Sequence, residues 1–215
     1  MTAPEVTLID YGVGNLLSVQ RALEHCGAKV ILTSNPVQIL AASRVVLPGV
    51  GAFAKAMEAL QELGLVDALR ELADRQIPLL GICLGMQLLF EQSEEFGLTR
   101  GLGFIPGYVI PIPAVSLAGQ RQKIPHVGWS ALYPSSGLDN WEGTLLQDIS
   151  SGEATYFVHS YMAVPDNITH SIAETQYGGH KICAVTKRDQ ITGCQFHPEK
   201  SGSVGLEILR NFVLR

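Results

Sequence analysis

The chain has 215 residues with 15 basic and 20 acidic side chains, a formal net charge of −5, and 47% hydrophobic residues. That length suits one α/β domain, residues 1–215, with a substantial core, and a chain so short of basic patches is a poor partner for nucleic acid. No apolar run approaches the roughly 18 residues that span a bilayer, no export signal opens the chain, and Cys26, Cys83, Cys183 and Cys194 are scattered with no Cys-x-x-Cys pair, so the expectation is a cytosolic protein without membrane contact, disulfide framework or zinc site.

Val6 to Ile9 is an apolar strand ending in Asp10, and Tyr11-Gly12-Val13-Gly14-Asn15 turns it into a helix with Leu16, Val19 and Leu23 along one face. The Gly-x-Gly invites a dinucleotide reading, but Leu17 stands where the third glycine belongs. A helix start facing a ligand or partner fits better. Ala28 to Leu32 is the next strand, Pro36 to Ala42 a short helix and Arg44 to Leu47 a third strand. Strands alternating with helices imply a parallel, doubly wound sheet.

Pro48-Gly49-Val50-Gly51-Ala52-Phe53 follows, at the carboxyl end of a strand, where ligands gather in open α/β sheets. It reads as an ordinary strand-to-helix turn, or as a loop whose glycines let the peptide between them rotate and aim the Val50 N–H at a substrate oxygen. Two helices come next, with core faces of Met57, Leu60 and Leu63, then Leu65, Leu69 and Leu72.

Leu79 to Gln87 is the stretch that carries chemistry. A buried apolar strand runs into Gly81-Ile82-Cys83-Leu84-Gly85, and Met86, Leu88, Leu89 and Phe90 continue at helical spacing. This is the Gly-x-nucleophile-x-Gly elbow with cysteine as nucleophile; its glycines make room where the neighbouring backbone comes close. Unpaired N–H groups at a first helical turn favour a thiolate, and the Leu84 amide is a candidate oxyanion donor. The bland alternative is a buried, inert cysteine.

From Ser93 to Pro134 the chain is rich in Gly and Pro, with β-like pieces such as Tyr108 to Ile112, and is expected to lie across one edge of the sheet. His126 and Trp129 within it read as structural, or, if surface-facing, as a protein interface. The last third is mostly strands: Ala154 to Tyr161, Ile172 to Tyr177, a Gly178-Gly179 hairpin turn, Lys181 to Thr186 and Ile191 to Phe196, in an antiparallel layout. They feed into His197-Pro198-Glu199. A final helix carries Val204, Ile208 and Phe212, widened by Leu209 and Val213. A thiolate needs a base, and the base needs a group to orient it; Cys83, His197 and Glu199 supply that set.

Gly81-Ile82-Cys83-Leu84-Gly85-Met86-Gln87 together with Phe196-His197-Pro198-Glu199 resembles the class I glutamine amidotransferases, over nearly the whole chain. Within that class the segments Tyr11 to Leu16, Pro48 to Phe53, Gly101-Leu102-Gly103, Pro106-Gly107, Pro125 to Trp129 and His197 to Gly202 look like the glutaminase subunits of imidazole glycerol phosphate synthases. Ser130 departs from the asparagine usual there, a difference that bears on partner contact. The resemblance implies a three-layer α/β fold with an added antiparallel region. It implies a glutaminase in which Cys83 attacks the glutamine carboxamide and passes through a glutamyl thioester, His197 moves protons and Glu199 holds the ring.

Further roles come from the same resemblance. Leu84 and, after a peptide rotation, Val50 form the oxyanion hole; Gly51, Gln87, Ser160 and Tyr161 hold L-glutamine, with His159 beside them. No cofactor and no metal are implied. The implied partner is a separate cyclase subunit, a (β/α)8 barrel, forming a heterodimer. Ammonia would reach it through a channel and be added to a ribotide, giving imidazole glycerol phosphate and aminoimidazole carboxamide ribotide in histidine biosynthesis. Asn15, Trp129 and Tyr161 are the expected contact region. Other readings stay open: an amidotransferase subunit of a chorismate-using synthase, a regulatory module that kept the fold, and a stand-alone cysteine hydrolase.

Overall fold

The computed structural model describes residues 3–214. The chain begins β1 (Glu5–Ile9), α1 (Leu16–His25), β2 (Lys29–Thr33), α2 (Pro36–Leu40), β3 (Val45–Leu47), α3 (Phe53–Glu62), α4 (Leu65–Asp74), β4 (Leu79–Ile82) and α5 (Leu84–Leu88). It continues with β5 (Phe90–Ser93), β6 (Thr99–Arg100), β7 (Ile105–Pro111), β8 (His126–Ala131), β9 (Tyr133–Pro134), β10 (Ala154–His159) and β11 (Tyr161–Pro165). It closes with β12 (Ser171–Tyr177), β13 (His180–Arg188), β14 (Ile191–Cys194) and α6 (Gly202–Leu214).

An eight-stranded sheet in the order β2-β1-β3-β4-β14-β13-β12-β9 forms the centre. Its first five strands pair in parallel and the last three are added antiparallel. The inner parallel strands β1, β3 and β4 are largely apolar because both faces are covered, whereas β2, at the edge, is mostly exposed or half-buried. In β3, Val45 and Leu47 enter the core under α3, α4 and α5, while Val46 enters the core under α1 and α6, as the two-residue period of a strand requires. The doubly wound, three-layer arrangement expected from the sequence is therefore present. Among the described residues no helix is long and apolar enough to cross a membrane.

Several local expectations change. The elbow helix ends at Leu88 and Phe90 opens a strand, because β5 pairs with β7 and β6 in a separate sheet ordered β11-β7-β5-β6. The stretch from 93 to 134 does not lie across one sheet edge: β5 to β7 belong to that second sheet, β8 pairs with β10 in a third, and β9 alone joins the edge of the main one. Ala154 to Tyr161 is not one strand; it breaks at Ser160, where β10 leaves β8 and β11 takes up β7. Within Ile191 to Phe196 the strand ends at Cys194, with one further bond from the Gln195 N–H to the Ala184 carbonyl at 2.8 Å. On α3 the core face is Phe53, Ala56 and Leu60, with Met57 partly buried and Leu63 exposed, since Leu63 caps the helix and Gly64 turns the chain into α4.

Candidate active site

The elbow forms where β4 ends. Cys83 takes φ 55° and ψ −110°, a left-handed backbone that costs an L-residue free energy and is held by the strands on either side. Its N–H donates to the Cys194 carbonyl at 2.8 Å. A Cβ on Gly85 would stand 1.9 Å from the Leu47 carbonyl oxygen, and one on Gly81 would stand 2.6 Å from the Gly85 oxygen. Both glycines are thus required by close backbone approach, as the motif predicts.

His197 follows β14 and is pinned to β10 by its N–H, which donates to the Tyr156 carbonyl at 2.9 Å. The Ser201 hydroxyl donates to the His197 carbonyl at 2.6 Å and accepts from the Tyr156 N–H at 2.9 Å, closing the clamp. Glu199, two residues on, reaches back so that its Oε1 accepts from His197 Nδ1 at 2.8 Å, with both side chains buried. His197 Nε2 has no hydrogen-bond partner of good geometry among the described residues. Burial works to lower the His197 pKa, but interactions with the Cys83 sulfur and the Glu199 carboxylate outweigh it and raise the value to about 9. An imidazole oriented on one side by a carboxylate and facing a thiol on the other can take a proton from sulfur and return it to a leaving group.

A cavity of about 360 Å³ opens over the sulfur. Cys83, Leu84, Val50, Gly51, Gln87, His159, Ser160, Tyr161 and His197 all line it. Glu199 stands behind His197, outside the lining. The Leu84 N–H donates to the Gly49 carbonyl at 3.3 Å. The Leu84 amide proton is therefore already taken by a main-chain oxygen.

The glutamine amidotransferase class-I family model matches residues 7–215. The chain belongs to the class I glutamine amidotransferases. Among its relatives, "Imidazole glycerol phosphate synthase subunit HisH 1" of Legionella pneumophila (strain Lens) is 48% identical across 97% of this chain and 98% of that protein. The "Imidazole glycerol phosphate synthase subunit HisH" of Moorella thermoacetica is 48% identical across 96% and 93%. A crystal structure of a glutamine amidotransferase shares the fold, with a TM-score of 0.70 at 15% identity over 96% of both chains.

For a class I glutamine amidotransferase, parts of this site had no clear signal in the sequence. Glu95 lines the pocket and its Oε2 accepts the Phe53 N–H at the start of α3. Pro125, Val158 and Lys200 complete the wall. His126 is buried and structural, stacked on Tyr177 with ring centroids 4.2 Å apart. Trp129, three residues along β8, is 58% exposed. Asn15 is exposed and Tyr161 is half-buried at the pocket wall.

Proposed function

We propose that this chain, acting as one glutamine amidotransferase domain over residues 1–215, is the glutaminase subunit of an imidazole glycerol phosphate synthase. Two relatives at 48% identity carry that name over nearly the full length. The observation that carries the mechanism is the His197 imidazole, held through Nδ1 by Glu199 at 2.8 Å beside the Cys83 sulfur, the two partners together raising its pKa against burial.

The sulfur attacks the side-chain carbonyl carbon of glutamine, and the carbonyl oxygen takes the negative charge of a tetrahedral intermediate. The intermediate collapses as His197 gives its proton to the departing nitrogen, leaving ammonia and a γ-glutamyl thioester. His197 then takes a proton from water, whose oxygen attacks the thioester, and glutamate and the Cys83 sulfur are released. Glu199 keeps Nδ1 protonated and stabilises the imidazolium. Gly51, Gln87, His159, Ser160 and Tyr161 wrap the rest of the substrate. Glu95 adds a carboxylate suited to an α-ammonium group.

The oxyanion hole needs the Leu84 and Val50 amides together. Turning the Gly49–Val50 peptide withdraws the carbonyl that the Leu84 N–H now serves and brings the Val50 N–H round instead. In this reading the free subunit rests with the hole closed, and a cyclase subunit, a (β/α)8 barrel bound as the second half of a heterodimer, shifts it open. Ammonia that escapes to water is protonated and loses its nucleophilicity, so a channel to the partner belongs to the same reading. A cytoplasmic setting fits four buried, unpaired thiols.

Glutaminase assays of the subunit alone, with the cyclase, and with the cyclase plus its ribotide substrate test this. Turnover is expected to be low alone and to rise with partner and ribotide. Equal rates in all three removes the gating, and capture of a chorismate-using enzyme in place of the barrel reassigns the pathway.

A further inference from the structure

The Cys83 sulfur has a second polar neighbour to which the mechanism above gives no task. Gln195 is fully buried, and its Nε2 lies 3.8 Å from Cys83 Sγ. Its Oε1 accepts from Gln87 Nε2 at 2.9 Å, and the same Gln87 nitrogen donates to the main-chain carbonyl of Tyr161 at 3.2 Å. That carbonyl also accepts from His159 Nδ1 at 2.8 Å.

A carbonyl oxygen only accepts, so it sets the direction of every bond attached to it. The Gln87 amide must turn its NH2 toward Tyr161, and the two protons of that group serve Tyr161 and Gln195. Gln195 must then offer its oxygen to Gln87, which leaves its own NH2 for the sulfur. On the other branch His159 Nδ1 carries a proton, so His159 Nε2 accepts from His126 Nδ1 at 3.0 Å, and His126 Nε2 accepts from the Ser130 hydroxyl at 2.9 Å. Burial lowers the pKa of both rings, that of His159 to about 4, in keeping with two neutral imidazoles. Two chains of fixed polarity meet at one oxygen, and both of its lone pairs are used.

We propose that Gln195 is a positioning residue for the reacting sulfur: a neutral N–H donor, aimed by Gln87 and the Tyr161 carbonyl, that favours the thiolate of Cys83 over the thiol. The inference rests on the glutaminase reading and deepens it. As a thiol, Cys83 donates to the Val158 carbonyl 3.9 Å away while accepting from Gln195. Loss of the proton makes the Val158 oxygen a repulsive neighbour and strengthens the Gln195 contact, because hydrogen bonds to an ionised partner are about twice as strong as neutral ones. Being uncharged, Gln195 does this without disturbing the balance between His197 and Glu199. Gln87 keeps only its Oε1 for a ligand, so it reads a hydrogen-bond donor there.

The test is the pH profile of Cys83 carbamoylmethylation by iodoacetamide in the full chain, read by mass spectrometry on the peptide containing Cys83. The Gln195→Met variant keeps the bulk and cannot donate. Its profile is expected to move about one unit to higher pH, with alkylation at pH 7 about tenfold slower. The kcat for glutamine should fall by more than KM changes. Gln195→Glu, which sets a carboxylate against the sulfur, should move the profile further in the same direction. A Gln195→Met profile superimposable on that of the wild type overturns the proposal, whatever the Gln195→Glu profile does. If Gln195→Met does not fold, Gln87→Met removes the donor that aims Gln195; a shift in the same direction supports the proposal and an unmoved profile overturns it. Failure of the glutaminase reading looks different: wild-type Cys83 then reacts no faster than Cys26, Cys183 and Cys194, and its labelling leaves glutamine turnover intact, which takes this inference with it.

Discussion

Cys83 and His197 stand more than half the chain apart in sequence, yet each arrives at the pocket on its own short strand–turn unit, β4 into α5 and β14 into the His-Pro-Glu turn. Glu199 holds the ring of the histidine through Nδ1 at 2.8 Å. Its carboxylate and the Cys83 sulfur together raise the His197 pKa to about 9 against the pull of burial. Because the folded value lies above the unfolded one near 6.5, this group's contribution to stability is complete below about pH 6.5 and is lost as pH climbs through 9. In urea titrations from pH 6 to 9.5, Glu199→Gln should therefore lose stability less steeply than the wild type, and its glutamine turnover should drop roughly 10²-fold or more. Parallel pH slopes would show that the carboxylate does not hold the imidazolium. Cys83, His197 and Glu199 could be singled out from sequence because each sits in a local motif, and the fold brings Cys83 and His197 to one pocket with Glu199 bonded to the ring. Glu95, Gln195 and Ser201 were not assigned roles because their partners, Phe53, Gln87 and Tyr156, lie far away in sequence and no local spacing encodes such pairs.

At the scale of elements, the parallel core was readable for a physical reason: strands buried on both faces are continuous apolar runs, and β1, β3 and β4 have that character. The elbow was readable too, since Gly81 and Gly85 record two backbone approaches that exclude a side chain. Gly85→Ala places its Cβ against the Leu47 carbonyl, a rigid main-chain atom, and overpacking of this kind costs about 3 kcal/mol. Chemical denaturation should show that loss; a variant as stable as wild type would mean that the strand and helix can separate at no cost. The length of α5 was not readable, because Leu89 and Phe90 are as apolar as a helix face needs and only their pairing with β7 turns them into strand. The same applies to β8, whose partner β10 comes from the next third of the chain.

Three sheets meet around one pocket, which draws on the ends of β4 and β14, the β10–β11 break and the loop after β3. The break at Ser160 is the feature that sequence reasoning joined into one strand, and it is what brings His159, Ser160 and Tyr161 to the cavity wall. On the outer side of the same region β8 exposes Trp129 while burying His126, so the strand faces solvent and the pocket's hydrogen-bond chain at once. Under the proposed function the molecule is a source of ammonia whose yield depends on a single sulfur atom. Cys83→Ala assayed in complex with its cyclase tests that most directly: synthesis driven by glutamine should disappear while synthesis driven by added ammonium salts persists, and a variant that still runs on glutamine would contradict the account.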